Sequence, residues 1–184
     1  MATKLSAAGY VEAGYGQVEP NHLSAQRTGQ IYAQLPAAAD IKVLENGQFV
    51  KYDYATNKVN LSGDGDWVMV FNEVKLYDER RQAYKNFVYA AKDFTDKTMY
   101  PRVIKINVGD IFTTNTFGKG TGADATVTVT GWTPAQGDDI TVDTATGYLK
   151  AGTPASGSNA PHFQVAKVYT LADGQAALKL QRIA

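Results

Sequence analysis

Histidine, the side chain that most often supplies an acid, a base or a metal ligand at neutral pH, occurs at two positions, His22 and His162. No Ser-His-Asp arrangement has support in the sequence, and two isolated histidines provide too few ligands for a zinc site. The chain contains no cysteine, which excludes thiolate nucleophiles and cysteine-bound metals. We therefore expect no enzymatic activity, no bound metal and no cofactor.

Two glycine-rich stretches have the composition of ligand-binding loops. Residues 62–66 (SGDGD) place Asp64 and Asp66 beside glycines, but a calcium site needs about six oxygen ligands and the closing Glu of an EF-hand is missing. Residues 118–122 (GKGTG) lack the spacing of a phosphate-binding loop. We predict a solvated turn for the first stretch and a flexible loop for the second.

A short sequence motif occurs twice, as DYATN at residues 53–57 and DTATG at residues 143–147. Asp53 and Asp143 could form the carboxylate pair of a glycosidase only if the fold set them a defined distance apart. A carboxylate before a turn also accepts backbone N–H bonds, and Asn and Gly tolerate the left-handed backbone that tight turns require. We therefore predict structural turn roles for Asp53, Asn57, Asp143 and Gly147.

The segments that must position these residues are mostly strands. Hairpins flank both turns, residues 67–77 form a long apolar strand, and residues 125–132 alternate valine and threonine. Over residues 79–94, apolar side chains recur at helical spacing: Tyr84, Phe87, Val88 and Ala91. The sequence thus predicts a mainly β protein of small antiparallel β-barrel or sandwich units, with one short helix over 79–94.

Residues 1–36 differ from the rest, because they are rich in Ala, Gly and Gln without a sustained period. One interpretation is a terminus without fixed structure. The other is an extended N-terminal arm that becomes ordered against a neighbour, with Tyr10, Tyr15 and Tyr32 as contact residues for a capsid or another partner. The number of tyrosines favours the arm, and the remaining residues 37–184 form the β-rich domain.

The similarity between the two halves extends beyond the repeated motif. A shift of 90 residues places Gly47 on Gly137 and Val50 on Ile140, and a shift of 95 places Val70 on Val165. The five extra residues fall in a connecting loop, where insertions cost little. Two related β units, about 41–99 and 100–184, are one interpretation, and chance similarity between two hairpins is the other.

Bulk properties exclude several partners. Lys plus Arg and Asp plus Glu each number 18, so the formal net charge is zero and we expect no binding to nucleic acid. No apolar run approaches the roughly 18 residues of a membrane span, and the first residues lack the apolar core of a signal peptide. We expect a protein made in a cytoplasm that does not enter a membrane.

The order of turns and strands resembles that of a known group of proteins. It runs from residues 45–59 (ENGQFVKYDYATNKV) through GDIFTTNTF, GDDITVD and GYLKAG to the final strands. This pattern is similar to head decoration, auxiliary capsid and head-fibre proteins of tailed bacteriophages. The resemblance covers residues 41–183 and rests on turn and strand patterns.

The resemblance implies a virion structural protein that binds the outer surface of a phage capsid and stabilises or decorates it. It implies the major capsid protein and further copies of the chain as partners, and a location on the capsid surface after synthesis in the host cytoplasm. An alternative function is a carbohydrate-binding or adhesion module of a phage or bacterial surface, with Trp132 and Tyr148 as the aromatic side chains that stack on sugars.

Overall fold

The computed structural model describes residues 18–29, 31–32, 35–41, 43–71, 88–90, 100–117, 133–171 and 176–184. Within these residues the protein is mainly β, as the sequence predicts, and its strands pair in antiparallel fashion in two larger sheets and a ribbon. Neither larger sheet closes into a barrel in the described part of the chain.

The six-stranded sheet has the order β1-β9-β13-β12-β10-β11. Its strands are β1 Val18–His22, β9 Ile111–Thr114, β10 Asp139–Val142, β11 Leu149–Ala151, β12 His162–Thr170 and β13 Ala176–Arg182. The five-stranded sheet has the order β2-β8-β6-β4-β5. Its strands are β2 Ile31–Tyr32, β4 Phe49–Asp53, β5 Lys58–Asn60, β6 Trp67–Val70 and β8 Val103–Ile104. A ribbon pairs β3 Val43–Glu45 with β7 Val88–Ala90, and helix α1 spans Ser24–Thr28.

The two larger sheets share one strand order once β1 is set aside. In each, a hairpin lies at one edge, the strand that follows the hairpin in sequence pairs with it, and the first and last strands complete the sheet. The ladders also agree in register: Val50 pairs with Val68, and Ile140, 90 residues later, pairs with Phe163, 95 residues later. In both sheets, a residue beyond the end of the first strand forms an isolated parallel bridge with the outer strand of the hairpin.

The five-stranded sheet is buried on both faces, because its side chains alternate between two apolar clusters. One face contributes Val50, Tyr52 and Val68 to a cluster with residues from 35–44. The other face packs on the six-stranded sheet, where the Phe49 ring lies 6.4 Å from Phe112 and 5.5 Å from Phe163 between centroids. The shared cluster therefore joins the two sheets.

Corresponding faces of the two sheets do not meet, because the sheets stack front to back. We call the face that carries Val50 in one sheet, and the face that carries Ile140 in the other, the front face. These two front faces belong to different apolar clusters. The back face of the five-stranded sheet is buried on the six-stranded sheet through Phe49, Trp67, Met69 and Ile104. At the matching positions the six-stranded sheet carries polar residues on its outer face: Asp139, His162, Gln164 and Gln181.

The prediction of a helix over 79–94 is wrong at Val88–Ala90, because these residues form β7 and pair with β3. The apolar spacing that suggests one helical face does not show the pairing with residues 43–45, more than 40 positions earlier in the chain. The other residues of that predicted helix lie outside the described part of the chain. The described helix, α1, lies instead in the segment for which the sequence predicts an extended arm.

Residues 18–29 and 31–32 lie in the folded body, so the extended arm predicted over 1–36 is not confirmed for this portion. Strand β1 pairs with β9, Leu23 and Ala25 enter the shared core, and β2 pairs with β8. Residues 1–17 lie outside the described residues. Strand β8, which lies in the second of the two units that the sequence suggests, 100–184, belongs to the five-stranded sheet.

Candidate functional site

The tip of the β4–β5 hairpin is held together by the carboxylate of Asp53. Its Oδ1 accepts the backbone N–H of Ala55 at 3.0 Å and of Thr56 at 3.2 Å. Its Oδ2 accepts the Thr56 hydroxyl at 2.7 Å and the Asn60 amide at 3.2 Å. The Thr56 hydroxyl and these other donors lower the pKa of Asp53 below its ordinary value, against the opposing effect of burial. Asn57 takes the left-handed conformation, with φ 54°.

The tip of the β10–β11 hairpin repeats this chemistry around Asp143. Its carboxylate accepts the Ala145 N–H at 3.3 Å and the Thr146 hydroxyl at 3.0 Å. Gly147, with φ 75°, donates its N–H to the Asp143 carbonyl at 2.7 Å. The structure thus places the four predicted turn residues at two hairpin tips, where each aspartate is bonded within its own turn.

The second tip, residues 143–148, is docked onto the five-stranded sheet. The Gly147 carbonyl accepts the Phe49 N–H at 2.7 Å, and the Thr146 carbonyl accepts the Gln48 side-chain amide at 2.7 Å. The Tyr148 hydroxyl donates to the buried Glu45 carboxylate at 2.8 Å. A Cβ atom on Gly147 would lie 2.1 Å from the Phe49 carbonyl oxygen, so the contact requires glycine.

The first tip, residues 53–58, is exposed over residues 54–58. Tyr54, at its apex, is 67% exposed and has the largest exposure among the described large apolar side chains. Its ring meets Tyr52 edge-on, with 6.2 Å between centroids. The two tips are therefore alike in internal hydrogen bonding and opposite in environment.

Comparison with protein-family models, with curated proteins and with solved structures finds no match to this chain. The residues and their geometry are therefore the basis on which its function is inferred.

A second recurrent element precedes β4, β9 and β10, at residues 45–48, 107–110 and 135–138. In each, the fourth residue's N–H donates to the first residue's carbonyl at 3.0–3.2 Å, and the third residue is a glycine with φ between 86° and 92°. The fourth side chain accepts the first residue's N–H, at 3.1 Å for Gln48, 2.8 Å for Asp110 and 2.9 Å for Asp138. The sequence signal for this turn is Gly followed by Asp or Gln before a strand.

Asp110 extends one of these turns into a latch for the N-terminal segment. Its carboxylate accepts the Ser24 N–H at 2.8 Å and the Ser24 hydroxyl at 3.0 Å. The Asn107 side chain donates to the same hydroxyl at 2.7 Å. Asp110 is 2% exposed, so these bonds are shielded from water. The latch joins α1 to the six-stranded sheet and was missed from sequence, because its partners are 86 residues apart.

The glycine-rich loop at residues 61–66 packs against the hairpin strand β4. Cβ atoms on Gly63 and Gly65 would lie 2.5 and 2.6 Å from the Tyr52 carbonyl oxygen, which explains both glycines. Asp66 forms an ion pair with Lys105 at 2.7 Å, and this hydrogen bond lowers the pKa of Asp66 against the effect of burial. Among the described residues, no group of three or more His, Asp or Glu side chains could hold a metal ion.

The remaining candidate residues have varied positions. His162 lies 3.0 Å from Asp139 through its Nε2 atom, and His22 ends β1. Tyr148, a candidate for sugar stacking, is instead bonded to Glu45 inside the molecule. Tyr32 lies in β2, where only its backbone is described. Outside the described residues lie Tyr10, Tyr15, Trp132 and the loop at 118–122. No described helix has the length and hydropathy needed to cross a membrane.

Proposed function

We propose that the chain is a virion structural protein that binds the outer surface of a phage capsid and stabilises or decorates it. Its partners in this proposal are the major capsid protein and further copies of itself, and it reaches the virion after synthesis in the host cytoplasm. The resemblance of its turns and strands to head decoration, auxiliary capsid and head-fibre proteins supports this class.

The observation that carries the proposal is that four aspartate carboxylates are bonded to other groups of the fold. Asp53 and Asp143 hold hairpin tips, Asp110 latches the N-terminal segment, and Asp66 is paired with Lys105. A catalytic carboxylate must reach a substrate proton or reacting atom. Here each of these carboxylates is bonded to its own turn or to another segment of the fold, which favours a structural role over a catalytic one.

The stacking of the sheets suits that role. One shared apolar cluster joins them, so the body holds its exposed hairpin tip and loops in fixed positions. On a capsid, many copies of such a body bind the same lattice, and weak individual contacts act together through high effective concentration.

We also propose that the two sheets derive from one duplicated five-stranded unit. Strand order, ladder register, the parallel bridge and the turn that opens β4 and β10 recur in both. In the hairpin and the strand that follows it, the paired residues keep constant offsets of 90 and 95, which is improbable for two unrelated hairpins. An experimental structure tests this proposal: the equivalent strands should superpose with a Cα deviation of roughly 2 Å, and a different path for β8 and β13 would contradict it.

Capsid binding is tested directly with capsids of the virus that encodes the chain, after the protein has been stripped from them. Purified protein added at micromolar concentration should sediment with these capsids and saturate at a fixed number of copies. The proposal would be overturned if the protein pellets equally well without capsids, or if its binding to capsids does not saturate.

The same assay tests Tyr10 and Tyr15 as partner contacts. Removal of residues 1–17 leaves β1 and the Asp110 latch in place, so the β body should keep its far-UV circular dichroism. Weaker capsid binding by this truncated protein supports the two tyrosines as contacts, and unchanged binding removes them.

A further inference from the structure

We propose that the exposed hairpin tip, residues 53–58, is the element that docks on the partner protein, with Tyr54 as its anchor. The identity of that partner as the capsid protein rests on the proposed function. The choice of this surface rests on the comparison of the two tips within the molecule.

The docked tip shows what this hairpin can bind. Residues 143–148 present two carbonyls, of Thr146 and Gly147, to N–H donors at the start of β4. The donors are one backbone amide, of Phe49, and one side-chain amide, of Gln48. The hairpin tip is thus a docking element inside the protein, and it recognises the start of a strand.

The exposed tip is likewise held in one conformation before a partner binds. Two backbone N–H groups and two side chains donate to Asp53 and hold the turn in place, so less conformational freedom is left to lose when a partner binds. Residues 54–58 are all exposed, so the tip is accessible within the described structure.

Two substitutions between the tips indicate a different occupant from the internal one. Tyr54 stands where the docked tip has Thr144, and this replaces a small polar group with a large amphipathic ring. Such rings are enriched among residues that dominate binding energy. Asn57 stands where the docked tip has Gly147, and its Cβ atom prevents the close approach to a carbonyl that Gly147 makes.

The second substitution argues against another copy of this chain as the occupant. Inside the molecule, the docked tip binds the turn 45–48 and the start of β4. The corresponding surface of another copy is the exposed turn 135–138 with the start of β10, and Asn57 would clash with it in the same way. The partner is therefore a different protein, and it binds the tip through an apolar pocket for the Tyr54 ring and not through the start of a strand.

The test compares Tyr54→Thr, which installs the residue of the docked tip, with Tyr100→Thr, which alters another exposed tyrosine. Both side chains are more than half exposed, so both variants should keep the wild-type circular dichroism and unfolding midpoint. In the stripped-capsid assay, Tyr54→Thr should bind about tenfold more weakly or worse, and Tyr100→Thr should bind as the wild type does.

The outcomes separate the two proposals. If wild type does not bind capsids, the proposed function fails. If wild type and Tyr54→Thr bind equally, capsid binding stands and the docking role of the tip is overturned. If Tyr54→Thr keeps full capsid binding but reduces oligomer size in analytical ultracentrifugation, the tip binds another copy, which also overturns the proposal as stated.

Discussion

Asn57 and Gly147 occupy the same position of two like turns, yet they satisfy different requirements. Both adopt a left-handed backbone, and this requirement is visible in the sequence because Asn and Gly tolerate it best. Gly147 meets a second requirement that the sequence does not show, which is space for the Phe49 carbonyl oxygen. The exchange is conservative for the backbone and not for packing.

Exchanging these two residues should therefore have unequal effects. Gly147→Asn should lower the free energy of unfolding by about 2–3 kcal/mol, because its Cβ overlaps the β4 backbone. Asn57→Gly, at an exposed position, should change it by less than about 1 kcal/mol. Urea unfolding of both variants measures the difference. Equal losses would show that the backbone conformation alone decides both positions.

Asp53 gives the first hairpin a predicted dependence on pH. Its pKa is lower in the folded protein than its ordinary value of 3.8, so the folded state binds this proton less readily than the unfolded state does. The resulting stabilisation is present above pH 4 and is lost as the pH falls through the folded-state pKa. Since the group lies at the surface, the effect should be small.

The variant Asp53→Asn isolates this contribution. It should be less stable than wild type at pH 7, and the difference should shrink between pH 4 and pH 3. Urea midpoints of both proteins across this range provide the measurement. A difference that stays constant with pH would show that the charge of Asp53 does not contribute to stability.

At the scale of elements, β1 and α1 depend on a latch far away in the sequence. Strand β1 has mostly exposed side chains and contains Pro20 beside a bulge, features of an edge strand with little intrinsic stability. Its attachment comes from the ladder with β9, from Leu23 and Ala25 in the core, and from Ser24 on Asp110. The latch should therefore control whether this segment remains folded.

Asp110→Ala should release the segment and cost about 2–4 kcal/mol, because it leaves shielded donors of Ser24 and Asn107 without their acceptor. Asp138→Ala is the matched control, since Asp138 holds the same type of turn at an exposed site and should cost about 1 kcal/mol or less. Hydrogen exchange should increase over residues 18–28 in the first variant alone. Unchanged exchange there would contradict the role of the latch.

The elements that sequence predicts well are those that local chemistry decides. The hairpins around residues 54–57 and 144–147 follow from Asp, Thr and Asn or Gly within five positions, and both occur. The strand Val88–Ala90 pairs with residues 43 to 47 positions away and β1 with residues 89 to 96 positions away, so local period and composition do not show them. The docking of Gly147 is likewise invisible from sequence, although the position of the turn is not.

At the scale of the whole molecule, the front-to-back stack explains why corresponding positions differ. Phe49 and Trp67 are apolar because another sheet covers them, whereas their counterparts Asp139 and His162 face outward. A sheet face that lies in solvent needs polar side chains, because a large exposed apolar face associates with other molecules. The back face of the six-stranded sheet meets this requirement with Gln164 and Gln181, which are exposed.

The shared cluster also predicts that the two sheets unfold together. Phe49 lies between the sheets, so Phe49→Ala should cost about 3–5 kcal/mol and lower the stability of both. Calorimetry should show one transition, with equal calorimetric and van't Hoff enthalpies, in wild type and variant. Val59→Ala, buried only in the cluster on the other face, should shift the same single transition by a smaller amount. Two resolved transitions, with Val59→Ala moving one of them, would show that each sheet is stable without the other.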